Sequence, residues 1–144
     1  PYEKWTAYGQ SKTAQALFAI GLNARMNARG VEAFSVHPGG IFTPLQRHLP
    51  TEEMAALGWT DETGKPSERA AVLFKTPAQG ATTSLWCATN PRLAGKGGVY
   101  CEDCDIATLV ADDDASMTGV RGWAVDEGAA EKLWDATERL LAEA

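Results

Sequence analysis

One stretch constrains the fold more than any other. From Ala7 to Ala28 the chain is rich in Ala and Leu and contains no proline, a composition that favours an α-helix. Ala14, Leu17, Phe18, Gly21, Leu22 and Met26 recur near the helical period. Thr6 stands where an N-cap is expected. Arg25 and Arg29 occupy the last turns, where cations complement the helix dipole, and Gly30 is the expected stop. Gly21 lies mid-helix, where glycine costs stability relative to alanine, so another element is expected to pack closely there. Val31 to His37 follows at once. It is short, apolar and partly β-branched, which reads as a buried strand. A long helix feeding a buried strand points to an α/β fold.

The remaining chain extends that pattern. Pro38-Gly39-Gly40 marks the C-terminal end of the strand, the edge at which open α/β sheets bind ligands. Phe42 to about Ser67 is irregular, broken by Thr43-Pro44 and Leu49-Pro50, with a short helix start at Thr51-Glu52-Glu53 and a turn over Asp61 to Lys65. A long segment beside a strand end reads either as a cover over a substrate or as a surface insertion. Thr76-Pro77 opens another helix, with Ala81, Leu85, Trp86 and Ala88 on its apolar face, and Asn90-Pro91 ends it. Gly95 to Gly98 is a turn and Val99-Tyr100-Cys101 a second strand. Strand, helix and strand predict parallel pairing. Asp103 to Asp126 reads as loop. Gly128 to Ala144 is an amphipathic final helix, with Ala130, Leu133, Trp134, Thr137, Leu140 and Leu141 as its buried stripe.

With 144 residues, 44% of them apolar and 22% charged, the chain has the makings of one globular domain. A net charge of −6 provides no basic footprint for nucleic acid, and no stretch is apolar enough to predict a membrane span. Three cysteines, an odd number, do not make a disulfide framework, so a reducing cytoplasm is the expected location.

Five groups carry possible chemistry. Tyr8 and Lys12 are four apart at the start of the long helix and so lie on one face. A nearby ammonium favours a phenolate, and a tyrosine tuned that way can exchange a proton near neutral pH. Cys101-Glu102-Asp103-Cys104 has the spacing of a redox pair but follows a strand, not a helix N-terminus, and a second pair of zinc ligands is lacking. His37, at a strand end, reads as structural, and His48 is unconstrained. Asp112-Asp113-Asp114 lacks the glycine and distal glutamate of a calcium loop and reads as a solvated turn.

Tyr8-x-x-x-Lys12, a helix, a strand, then Pro38-Gly39 with Thr43, resembles the second half of the short-chain dehydrogenase/reductase family. Gly98 to Cys104, followed by a helix containing Lys132-Leu133-Trp134, resembles its retinol dehydrogenase and WW-domain-oxidoreductase-like branch. The resemblance spans nearly the whole chain. It implies an α/β fold, the C-terminal portion of a Rossmann-type doubly wound parallel sheet, with residues 1–144 forming one half of a single domain and 42–77 covering the substrate. It also implies an enzyme moving a hydride between a nicotinamide cofactor, NAD(P) with NADP favoured, and a small alcohol or carbonyl. By motif position, Tyr8 is then the general acid/base. Lys12 lowers its pKa and holds the nicotinamide ribose. Pro38, Gly39 and the backbone of Ile41 line the nicotinamide, and Thr43 bonds near its carboxamide or phosphate. A homo-oligomer is compatible with the family pattern.

The departures from that pattern are large. The glycine-rich phosphate loop, the catalytic serine and the relay asparagine of the family have no counterpart here, and the chain begins at Pro1. The expectation is that the cofactor-binding half comes from a longer parent chain or a second polypeptide. Two strands and three or four apolar helices leave an edge strand and the Ala-rich helix short of partners, which predicts exposed apolar surface. The rival reading is a catalytically silent remnant that serves as an interaction module.

Overall fold

The computed structural model describes all residues, Pro1–Ala144. In chain order its helices are α1 (Lys4–Met26), α2 (Thr51–Ala56), α3 (Glu68–Leu73), α4 (Pro77–Gly80), α5 (Thr82–Thr89) and α6 (Glu127–Ala142). Its strands are β1 (Ser35–His37), β2 (Tyr100–Glu102), β3 (Asp105–Ile106), β4 (Leu109–Val110) and β5 (Val120–Arg121). The chain divides into two compact units. The first comprises Pro1–His37 and Thr83–Ala144, and the second is the intervening Pro38–Thr82.

In the first unit, α1 begins earlier than the spacing predicts. Glu3, not Thr6, is its cap: the carboxylate accepts the N–H groups of Trp5 at 3.0 Å and Thr6 at 2.6 Å. A carboxylate outranks a hydroxyl here because it answers two orphan donors and the positive end of the dipole together. A short 3-10 turn, Asn27–Arg29, and Gly30 at φ 77° close the helix as expected. Ala16, Leu17, Ala19 and Gly21 are buried, whereas Phe18 is half-exposed.

α6 lies along α1. A Cβ on Gly21 would stand 3.1 Å from Cε3 of Trp134, so the mid-helix glycine is explained by a ring laid against it. Trp134 stacks on Phe18 with centroids 5.5 Å apart and planes 7° from parallel. On the same ring the Arg25 guanidinium sits 4.2 Å from the centroid. Arg25 also forms a two-pronged pair with Glu131, at 3.0 and 2.8 Å. The buried stripe of α6 is shorter than expected. Ala130 is buried, but Leu140 and Leu141 are each 68% exposed, because the packing against α1 is concentrated around Ala130 and Trp134.

β1 and β2 pair in parallel, Ser35 opposite Tyr100, Val36 opposite Cys101 and His37 opposite Glu102. Parallel pairing across the α5 crossover is therefore as predicted. The 103–126 stretch is not loop throughout. β3 folds back antiparallel on β2, and β4 pairs in parallel with β5. The hairpin turn places Asp103 at φ 49° and Cys104 at φ 59°. Two successive left-handed residues make the tight hairpin turn that sequences usually mark with Asn-Gly. α5 also differs from expectation: Thr83 is its buried residue, while Leu85 is 62% exposed.

In the second unit, an aromatic cluster stands in place of a sheet. Phe74 lies between Phe42, at 4.6 Å, and Trp59, at 5.9 Å between centroids. Ser67 caps α3 through the Ala70 N–H and donates to the Gly58 carbonyl at 2.6 Å. Asp61 organises the predicted turn by accepting from Thr63 and Lys65. Thr76 and Gln79 form a reciprocal capping box at α4. The predicted single helix after Thr76 is thus two, α4 and α5, with Ala81 between them. No helix is long and apolar enough to cross a membrane.

Candidate active site

The predicted site residues fall in both units. In the first, Tyr8 and Lys12 lie one turn apart on α1, as their spacing requires. The Lys12 ammonium is 5.3 Å from the centroid of the Tyr8 ring and 3.1 Å from Oε1 of Gln15. The ring of Tyr8 is also met edge-on by Trp5 at 6.0 Å. Tyr8 is 50% exposed, so its phenol is open to a reactant. Around it, Ser11 donates to the Tyr8 carbonyl at 2.7 Å and Thr13 to the Gly9 carbonyl at 3.0 Å. These bonds occupy the short polar side chains of Ser11 and Thr13 locally.

Tyr100 is a further ionisable group of this unit that spacing did not single out. Burial pushes its phenol up, and the charges of Glu102 and Tyr8 push in the same direction. Register places Ser35, His37, Tyr100 and Glu102 on one face of the β1–β2 pair, with Val36 and Cys101 on the other. Glu102 accepts the Gly119 N–H at 2.6 Å, and its other oxygen is 3.8 Å from Nδ1 of His37. His37 thus takes part in a cross-strand pairing. A cleft of about 640 Å³ in this unit includes Ile20, Asn23, Tyr100, Leu109 and Glu131 in its lining. Neither Tyr8 nor Lys12 lines it.

The second unit holds Pro38, Gly39, Ile41 and Thr43 in one continuous ribbon. Gly39 has φ 88°, and a Cβ there would stand 3.0 Å from the Lys75 methylenes. Gly40 accepts the Lys75 N–H at 2.8 Å, and a Cβ on Gly40 would stand 2.9 Å from the Phe74 ring. On the far side of this contact, a Cβ on Gly80 would overlap Cδ1 of Ile41. The glycines are therefore required by a backbone pressed against side chains on one side, while Pro38 and Gly40 themselves remain exposed.

Gln46 fixes the rest of the ribbon. Its Nε2 donates to the Ile41 carbonyl at 2.8 Å, and its Oε1 accepts the Thr43 N–H at 2.8 Å. Oγ1 of Thr43 accepts the Leu45 N–H at 3.2 Å as the cap of the 3-10 turn Pro44–His48. Gln46 and Lys75 were not singled out by motif. The capping-box spacing Thr43-x-x-Gln46 is the signal that could have found the first.

The Cys-x-x-Cys pair is split between a strand and a turn. Cys101 is fully buried in β2, and burial pushes its thiol up to about 12. Cys104 stands on the left-handed hairpin turn. Across the residues described, no group of three or more His, Cys, Asp or Glu is placed to hold a metal ion.

No family model matches the chain. A probable oxidoreductase of Streptomyces lividans is 44% identical over 135 residues, covering 94% of this chain and 44% of that protein. The short-chain dehydrogenase/reductase prx1 of Penicillium roqueforti is 38% identical over 140 residues, covering 97% of this chain and 39% of its own length. Human retinol dehydrogenase 14 is 32% identical over 145 residues, covering 97% of this chain and 36% of its own. The chain thus spans less than half the length of these relatives. Identity at this level, sustained along almost the whole sequence in proteins carrying these names, makes the chain a relative of the short-chain dehydrogenase/reductases, whose fold is of the Rossmann type.

Proposed function

We propose that this chain is the C-terminal half of an oxidoreductase that moves a hydride between a nicotinamide cofactor and an alcohol or carbonyl. The observation that carries the reading is the Tyr8–Lys12 pair, with the ammonium 5.3 Å from the ring of a half-exposed tyrosine. The nicotinamide, when bound, supplies or accepts the hydride. Tyr8 gives its proton to the carbonyl oxygen during reduction and takes the hydroxyl proton during oxidation. Lys12 holds its ammonium against the Tyr8 ring. On leaving Gln15 its ammonium is free to hold the nicotinamide ribose.

The Pro38–Thr43 ribbon suits the flat face of a nicotinamide, because Gly39 and Gly40 present backbone without side chains. In this reading Pro38, Gly39 and the Ile41 backbone line the ring, and Thr43 faces its carboxamide or phosphate. NADP is favoured over NAD by the branch that the sequence resembles. The cofactor pyrophosphate is held by a glycine-rich turn supplied outside these residues, from the same or a second polypeptide. The 42–77 segment covers a small-molecule substrate. Three free thiols accord with a reducing cytoplasm.

The test uses the protein that contains this sequence, with its cofactor-binding half. Tyr8→Phe is expected to lower turnover by about a hundredfold or more, the usual scale of lost general acid–base catalysis. Cofactor binding, followed by nicotinamide fluorescence, is expected to stay within about twofold of the parent on that same argument. Turnover unchanged by Tyr8→Phe would remove the assignment. A second reading, a catalytically silent interaction module, is favoured by one observation. Tyr2, Leu140 and Leu141 are 84%, 68% and 68% exposed. Failure of the cofactor-complete protein to bind either dinucleotide would select it.

A further inference from the structure

The Pro38–Thr43 ribbon is gripped along both edges, and one grip comes from a side chain that no family motif marks. Along the first edge the Gly40 carbonyl accepts the Lys75 N–H at 2.8 Å, and Ile41 bridges Lys75 in parallel. Successive carbonyls of an extended chain point to opposite edges, and a residue's own N–H and C=O point to the same one. The N–H and C=O of Ile41 therefore face the second edge, away from Lys75. There the Ile41 carbonyl meets Gln46. Nε2 of Gln46 donates to it at 2.8 Å, while Oε1 accepts the Thr43 N–H at 2.8 Å and the Thr43 hydroxyl at 3.2 Å. A backbone carbonyl requires the NH2 end of an amide and a backbone N–H requires its oxygen, so the two contacts fix which end is which. The Thr43 contact belongs to the capping box of the short turn Pro44–His48. The Ile41 contact is partly buried and reaches five residues back along the chain, so the capping of that turn does not require it.

We propose that Gln46 is a positioning residue for the nicotinamide end of the cofactor. By holding the Ile41 carbonyl and the Thr43 N–H on one amide, it aims the Ile41 peptide edge at which the carboxamide docks. This rests on the reading of the chain as part of a nicotinamide-dependent oxidoreductase and deepens it. The ribbon needs such a tie, because it enters Ile41 through two consecutive glycines, and glycine has more backbone freedom to lose than any other residue. Phe74 and Lys75 press on those glycines from one side, and the Gln46 amide secures the peptide that follows them. A carboxamide carries donors at one end and an acceptor at the other, so it gains most from a peptide edge whose direction is already set. Fixing that edge before binding removes an ordering cost from the binding step. Glutamate separates this role from the cap. Its carboxylate accepts the Thr43 N–H as a capping box does, yet, ionised at neutral pH, it has no proton to donate to the Ile41 carbonyl.

The experiment uses the protein that contains this sequence together with its cofactor-binding half. Titration calorimetry compares the parent with Gln46→Glu against two probes. One is the reduced dinucleotide that the parent prefers, whose nicotinamide ring is uncharged. The other is the matching ADP-ribose fragment, phosphorylated where the parent prefers NADPH, which lacks the nicotinamide. Gln46→Glu is expected to bind the reduced dinucleotide about tenfold more weakly, the scale of one lost hydrogen bond, and the fragment within about twofold of the parent. Its urea midpoint is expected to match the parent's, because the cap survives. Gln46→Met keeps the side-chain length and loses both bonds; it is read in the same way where the glutamate variant does not fold, and the same split between the probes is expected. Unchanged affinity for the dinucleotide overturns the proposal. So does a loss shared equally by dinucleotide and fragment, which marks a general structural role. A parent that binds neither probe overturns the oxidoreductase reading itself, a result distinct from the other two because no variant enters it.

Discussion

Thr60 is buried, and its hydroxyl has no hydrogen-bond partner. A buried polar group left unsatisfied costs on the order of 1–3 kcal/mol, and an apolar group of the same shape avoids that cost. Thr60→Val is therefore expected to raise unfolding stability by about 1 kcal/mol, read as a higher urea midpoint. Two glycines make a matched pair of opposite sign. A Cβ at Gly9 meets nothing within 4 Å, so Gly9→Ala is expected to stabilise α1. The gain is about 0.5–1 kcal/mol, the helix-interior cost of glycine. A Cβ at Gly80 overlaps Ile41. Gly80→Ala is expected to cost about 1–3 kcal/mol, as overpacking does, and to disturb the ribbon that carries Gly39. At this scale spacing was informative where chemistry is local. Tyr8 and Lys12 share a face because four residues make one turn. The Thr83–Cys104 contact was illegible, because it joins a helix and a hairpin turn across a distance that no local pattern encodes.

Among the elements, α6 offers the sharpest contrast between pattern and packing. The apolar spacing runs unbroken from Ala130 to Leu141, yet contact with α1 is built around Ala130 and Trp134. Trp134→Ala removes a stacked ring, a cation–π partner and the neighbour of Gly21 together. It is expected to cost about 2–4 kcal/mol in urea unfolding, toward the lower part of the range for large core truncations because the ring is only half-buried. Leu140→Ala is expected to change stability by less than about 0.5 kcal/mol, as exposed sites do. α1, β1, β2 and their parallel pairing were legible from periodicity and from the glycine stops. β3, β4 and β5 were not. Each is two residues long, too short to display an alternation, and the hairpin turn at Asp103 and Cys104 lacks the glycine that usually announces it.

For the whole molecule, ionisable groups set a stability plateau with two falling limbs. Hydrogen bonds from Thr63 hold Asp61 below the usual carboxylate range, those from Ser116 do so for Asp114, and those from Arg25 for Glu131. Backbone N–H groups of Trp5 and Thr6 do the same for Glu3. Folded values below the unfolded ones stabilise above about pH 4, and that contribution is lost as pH falls through the folded values. Burial acts oppositely on Cys101, Cys87 and Tyr100, whose folded values are raised. Their contribution is complete below the unfolded values, about 8.5 for a thiol and 10 for a phenol, and is lost as pH rises through the folded ones. For Cys101 the folded value is about 12. Urea midpoints are expected to be flat from about pH 5 to 8 and to fall on either side, with a shallower alkaline limb in Cys101→Ala. The division into two units was only partly legible. The irregular composition of 42–77 marked a distinct segment, while the aromatic cluster of Phe42, Trp59 and Phe74 that makes it compact depends on contacts between residues far apart in the chain. That segment leaves the first unit after His37 and returns at Thr83. Because the cost of closing a flexible loop grows only logarithmically, about 0.6 kcal/mol for each doubling of length, such an insertion can be lengthened, shortened or replaced at small cost to the unit that carries α1. Evolution, or an engineer grafting a foreign segment between those two residues, can exchange the whole second unit while inheriting α1 and the β1–β2 pair unchanged.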